Sequence, residues 1–246
     1  MNKKQLILGA VALILLGAFV AIGFRTSSPK TVPTQTDQSP WPSQEVDKVS
    51  INQNTDHYSI DAVYPKTVSD SISLYFKSYT EDQITEFKND TSWVDDVESA
   101  SSQSLTLDIS YQFVPGANAQ NYIFTTNSYT GGAHGMQTRR TFAFNKGGQL
   151  LTISNLFSNG IDGLNAFSKL VQKELLKREG ADEAWIADGA GPKEENYSTF
   201  VINDDGVTVL FDPYQVAPYS DGAIDITIPL TAFKNIANTA IFSIAQ

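Results

Sequence analysis

The sequence predicts an α+β fold: mainly antiparallel sheets with two principal helices packed on one side, preceded by one transmembrane helix and a disordered linker. Three observations carry this expectation. In 246 residues, 41% are hydrophobic and 18% charged, with 14 Phe, 10 Tyr and 3 Trp, enough apolar area to bury a core. Most of the chain after residue 55 alternates with a period of two, and two stretches switch to helical spacing. Near the amino terminus, Leu6 to Phe24 is a run without a single charge.

That run covers most of a ~30 Å hydrocarbon core at ~1.5 Å per residue. Lys3 and Lys4 before it predict a cytoplasmic tail of residues 1–5, a membrane anchor over 6–24 and an extracytoplasmic remainder, hence a single-pass protein of the cell membrane. A cleaved signal peptide is the competing reading, although its apolar core is normally shorter, ~7–15 residues. Residues 25–55 read as a linker, with Pro29, Pro33, Pro40 and Pro42 among Ser, Thr and Gln.

Tyr58, Ile60, Ala62 and Tyr64 alternate with more polar neighbours up to Pro65, a half-buried strand. Ile72, Tyr75, Phe76, Tyr79, Ile84 and Phe87 then fall on one helical stripe, with Thr67 or Ser69 as its cap. After a polar loop, Leu105 to Phe113 and Tyr122 to Thr126 flank Pro115-Gly116 as a hairpin. Arg139 to Phe144 is a further strand, with Leu150 to Ile153 expected as its partner across Lys146-Gly147-Gly148. Leu164, Phe167, Leu170, Val171 and Leu175 form the second helical face, between Asp162 and the Gly180 stop.

A Gly/Ala/Glu-rich loop is expected next. Tyr197 to Ile202 and Val207 to Phe211 then make a hairpin about Asp205-Gly206, and Ile224 to Ile228 adds a strand before a short helix near Leu230 to Ile236. The folded part divides into a subdomain over 56–130 and another over 131–246.

Composition narrows the chemistry. No cysteine excludes disulfides, thiolate metal sites and cysteine nucleophiles, and only His57 and His134 remain for imidazole chemistry. Neither histidine has a second His nearby for a metal, no Ser lies in a nucleophile-elbow context, and adjacent pairs such as Asp95-Asp96 lack the gap that glycoside chemistry needs. No catalytic residue, metal or cofactor is assigned. Residues after 50 hold 12 Lys and Arg against 24 Asp and Glu, a net charge near −12 that opposes nucleic acid and favours a cationic partner.

Two loops hold the binding candidates. Tyr129, Gly131, Gly132 and His134 lie in a Gly-rich turn where backbone N–H groups can approach a ligand, and the competing reading is a plain tight turn. Asp212, Tyr214 and Tyr219 lie in a Pro-stiffened loop, its rings either presented to a sugar or partner protein or folded onto the core.

The segments VYPK (63–66), YTGGAHG (129–135), GQLLTISNLF (148–157) and FDPYQVAPY (211–219) resemble, in that order, a bacterial extracytoplasmic domain family. It includes the outer domain of the anti-sigma-V factor RsiV and the non-catalytic amino-terminal region of the peptidoglycan deacetylase PdaC. The resemblance implies an α+β binding module and, through the anti-sigma branch, lysozyme or another basic protein as partner. Through the deacetylase branch it implies peptidoglycan fragments. The metal-binding His pair of the deacetylase domain has no counterpart here, so the leading reading is a membrane-anchored binding module and not an enzyme. The rivals are an enzyme acting on cell-wall polymer through His134 and nearby carboxylates, and a structural or assembly subunit of the envelope.

Overall fold

In the computed structural model, residues 47–67, 69–96, 104–116 and 118–242 are described. The expected tail and anchor, and the linker up to residue 46, lie outside them. Among the described residues no helix is long and apolar enough to cross a membrane.

Eight strands form two sheets. Strands β1 (Lys48–Asn54), β2 (Tyr58–Pro65), β3 (Leu105–Pro115), β4 (Ala119–Tyr129) and β5 (Met136–Asn145) stand side by side in chain order. Their pairings are antiparallel except β2–β3, which is parallel. The crossover that a parallel pair requires is α1 (Asp70–Asp90). The Ser69 hydroxyl caps it by accepting from the Ile72 N–H.

Two expectations are corrected by this sheet. It is mixed, because alternation reports which face a residue takes and is blind to strand direction. Residues 48–54, placed in the linker by their Ser, Asn and Gln content, form an edge strand whose Val49 and Ile51 are half-buried against the core beneath α1.

Phe76 of α1 is fully buried on that sheet, 4.6 Å from the Tyr122 ring and 5.4 Å from Phe124, with Phe142 and Phe144 at 5.7 and 5.9 Å. Tilted and edge-on pairs of this kind add ~0.5–1.5 kcal/mol each beyond burial. The expected strand at 150–153 is also corrected. Leu150 makes one isolated bridge to Phe144, and the chain turns into a 3-10 helix over Ile153–Leu156, where the Asn155 side chain accepts from the Thr152 N–H.

The second sheet is antiparallel: β6 (Phe200–Asn203), β7 (Gly206–Phe211) and β8 (Ile224–Pro229). Helix α2 (Ile161–Leu175) covers it through Leu164, Phe167, Val171 and Leu175, all fully buried with Val207, Val209 and Phe211. Where a loop was expected, α3 (Glu183–Gly189) is capped by the Asp182 carboxylate, and a 3-10 helix over Glu194–Tyr197 delays β6 to Phe200. Helix α4 (Leu230–Phe233) follows β8.

The two sheets meet through Val114 and Ile123 on one and Val201 and Leu210 on the other, on the faces opposite α1 and α2. The helices thus cover outer faces of separate sheets instead of sharing one side. Buried Asn121 of β4 ties the layers: its amide donates to Val114 C=O (3.0 Å) and Ile202 C=O (2.8 Å), and its oxygen accepts from Ile202 N–H (2.9 Å).

Candidate functional site

The turn after β4 and the loop after β7 come together, although about 80 residues separate them. The His134 ring stacks on Tyr219 with centroids 4.2 Å apart and planes at 25°, and Tyr219 lies 5.4 Å from Tyr214 at 33°. The Tyr219 hydroxyl donates to Gly135 C=O (3.1 Å), and His134 Nδ1 is 2.9 Å from the same oxygen. Three rings therefore form one exposed stack, with Tyr214 48% and Tyr219 37% exposed.

The loop is held in place from several directions. Gln215 N–H donates to Asp212 C=O (3.1 Å), closing a four-residue turn in which Tyr214 adopts φ 72°, the single positive φ of a non-glycine among the described residues. Turns with positive φ at the third position normally place Gly there, so the Tyr is strained. Trp185 Nε1 of α3 donates to Tyr214 C=O (2.9 Å), and the Gln215 amide donates to Gly189 C=O and Asn196 C=O (3.1 and 2.9 Å). Helix α3, absent from the sequence expectation, is what supports this turn.

Asp212 does not join the rings. Its carboxylate accepts the backbone N–H of Arg139 (3.1 and 3.0 Å) and the Arg139 Nε (3.3 Å). Arg139 is completed by Asp225 (2.7 Å) and Phe211 C=O (2.9 Å), and only 11% of its side chain is exposed. Burial raises the Asp212 pKa above the usual carboxylate value, opposed by the hydrogen bonds and charge of Arg139. The arrangement ties β5 to the end of β7.

The remaining candidates divide. Gly131, at φ 99°, is a packing glycine, since a Cβ there would come 2.8 Å from Trp93 Cζ2. Gly132 is exposed in the same turn. Tyr129 ends β4 half-buried against the core beneath α1. The geometry thus unites His134, Tyr214 and Tyr219 and leaves Tyr129, Gly131 and Asp212 in supporting places. Sequence reasoning missed Arg139 and Trp185; a lone Arg on a strand face and an acid-capped Trp were the signals available. Among the described residues no group of three or more His, Asp and Glu side chains could hold a metal ion.

Residues 154–231 match the family model described as "Protein of unknown function (DUF3298)". The segment includes α2, α3, the second sheet and Asp212, Tyr214 and Tyr219, and leaves His134 outside. The chain is 31% identical over 177 residues to the peptidoglycan-N-acetylmuramic acid deacetylase PdaC of Bacillus subtilis, covering 70% of this chain and 38% of PdaC. It is 27% identical over 124 residues to the immunogenic protein MPT64 of Mycobacterium tuberculosis, covering 50% of this chain and 54% of that protein. It therefore spans well under two thirds of either relative.

Crystal structures of DUF3298 proteins from Bacteroides fragilis and Pseudomonas aeruginosa share the fold. The first has a TM-score of 0.55 at 21% identity, covering 79% of this chain and 93% of that one. The second has 0.52 at 14%, covering 81% and 98%. The chain carries a DUF3298 domain and is related to PdaC, as its motifs indicated.

Proposed function

We propose that the chain is an extracytoplasmic binding module of the cell envelope that recognises cell-wall glycan without transforming it. The carrying observation is the ring stack of His134, Tyr219 and Tyr214, held rigidly by α3 and by Arg139. Exposed aromatic faces suit the apolar faces of sugar rings, and rigid Tyr loses little entropy on binding. Backbone strain at Tyr214 supports the same reading, because strain tends to persist where a side chain must be aimed. The PdaC relationship supports a wall polymer as ligand and an extracytoplasmic location, with the apolar run at 6–24 as anchor. Binding without turnover fits a site whose loop carboxylates, Asp212 and Asp221, are engaged by Arg139 and Arg178.

Calorimetry of the purified full chain with soluble peptidoglycan glycan strands tests this. Tyr214→Ala is expected to weaken binding ~10-fold or more, as loss of an aromatic anchor does, with an unchanged far-ultraviolet spectrum. Full affinity in that variant, or no binding by the unaltered chain, would refute the proposal.

A second reading, a basic protein such as lysozyme as partner, is supported by the net charge near −12 after residue 50. It requires lysozyme binding that falls steeply between low and high salt.

A further inference from the structure

A second opening lies along the outer edge of β5, the last strand of the large sheet. Alternate residues of an antiparallel edge strand turn both N–H and C=O away from their partner strand. On β5 these are the odd-numbered positions. Arg139 N–H is taken by the Asp212 carboxylate and Arg139 C=O by the Thr199 hydroxyl (3.1 Å). Ala143 C=O accepts from Leu151 N–H (2.8 Å), and Asn145 N–H donates to Gln149 C=O (3.0 Å).

Between these closures, nothing among the described residues seals Thr141 in the same way. The residue is 5% exposed, and its hydroxyl has no hydrogen-bond partner among the described residues. A buried hydroxyl left so is costly. Directly before it opens a cleft of about 430 Å³, within the ~300–1,000 Å³ of small-ligand sites. Phe142, Leu150 and Phe200 give it apolar walls, and Arg140, Glu194 and Ser198 give it polar ones.

We infer that this cleft seats a compact secondary amide of the acetamido class, as carried by N-acetylated amino sugars. An edge N–H beside an edge C=O is the complement of an amide, the pairing by which sheets recruit peptides. Here the gap is too short for a peptide strand. Arg139 and Ala143 are already closed, and the four residue steps between them span only ~13 Å. The apolar walls accept the acetyl methyl, and Arg140 with Glu194 reaches the ring hydroxyls. Thr141 Oγ1 lies just under the wall and gains its missing partner through a change of χ1 rotamer as the ligand enters. The inference rests on the glycan reading for the source of the sugar, but its site is separate from the ring stack.

The test is calorimetry of the full chain with N-acetylglucosamine, glucosamine and N-acetylalanine methylamide. N-acetylglucosamine is expected to bind ~10-fold tighter than glucosamine, the loss of about one buried hydrogen bond. Thr141→Val, nearly equal in shape, should weaken it by a similar factor without lowering the melting temperature. Ser198→Phe should fill the cleft and abolish the preference for N-acetylglucosamine over glucosamine. Equal affinity for the two sugars, tighter binding of the dipeptide analogue, or indifference to Thr141→Val would overturn the inference. If glycan strands lose affinity with Tyr214→Ala while N-acetylglucosamine ignores Thr141→Val, only the cleft is refuted. The reverse pattern refutes only the ring stack.

Discussion

Arg139 gathers an unusual share of the structure into one side chain. Its guanidinium and backbone reach Asp212, Asp225 and Phe211 on two different strands and the loop beyond. A charge so buried is costly unless every partner is present. For Asp212 the cost of burial outweighs the help of Arg139, so its folded pKa lies above the unfolded value. The linked stability is then fully present below the unfolded pKa and is lost as pH rises through the folded one. Asp212→Asn removes this titration. The unaltered protein should therefore gain stability relative to the variant as pH falls from 7 toward ~4, measured as a shift in urea midpoint, and a relative loss on acidification would contradict it. Sequence alone singled out Asp212 for its place beside Tyr214. No local pattern could say that its partner would be an arginine 73 residues earlier.

Among the elements, α3 has an influence out of proportion to its seven residues. It ends at Gly189, where any side chain would run into the Gln215 carbonyl of the Tyr214 turn. Gly189→Ala should cost ~2–4 kcal/mol, seen in thermal or urea melts, and should weaken glycan binding by displacing Tyr214. A variant of unchanged stability and affinity would remove α3 from the account of the site. Helix α1 was legible because a long apolar stripe followed a recognisable cap at Ser69, and α2 because of its stripe alone, since it ends at Leu175 and not at the expected Gly180 stop. Helix α3 was not, because its seven residues, EAWIADG, make under two turns and carry little periodicity. Strand β1 hid for another reason: as an edge strand it buries only part of one face, so its Ser, Asn and Gln residues resemble linker.

For the molecule as a whole, the decisive polar group is Asn121, fully buried between the sheets. Asn121→Ala would leave Ile202 N–H and two carbonyls without their partner, at ~3 kcal/mol or more, measurable by chemical denaturation. A loss under ~1 kcal/mol would show that apolar contact at Val114, Ile123, Val201 and Leu210 alone joins the layers. The α+β class and every strand but β1 were readable from alternation. The meeting of the sheets was not, since periodicity separates two faces of a strand and says nothing of what covers each. The ring stack was legible as two separate loops, and its assembly depends on that same long-range packing.

The Asn121 tie bears on how the protein breathes. Strand β6 is a four-residue outer strand, the kind of segment that ordinarily frays and lets its amide protons trade with solvent quickly. Ile202 donates to a side chain rooted in the middle of the other sheet. Its deuterium uptake is therefore expected to be slower than that of an ordinary fraying strand.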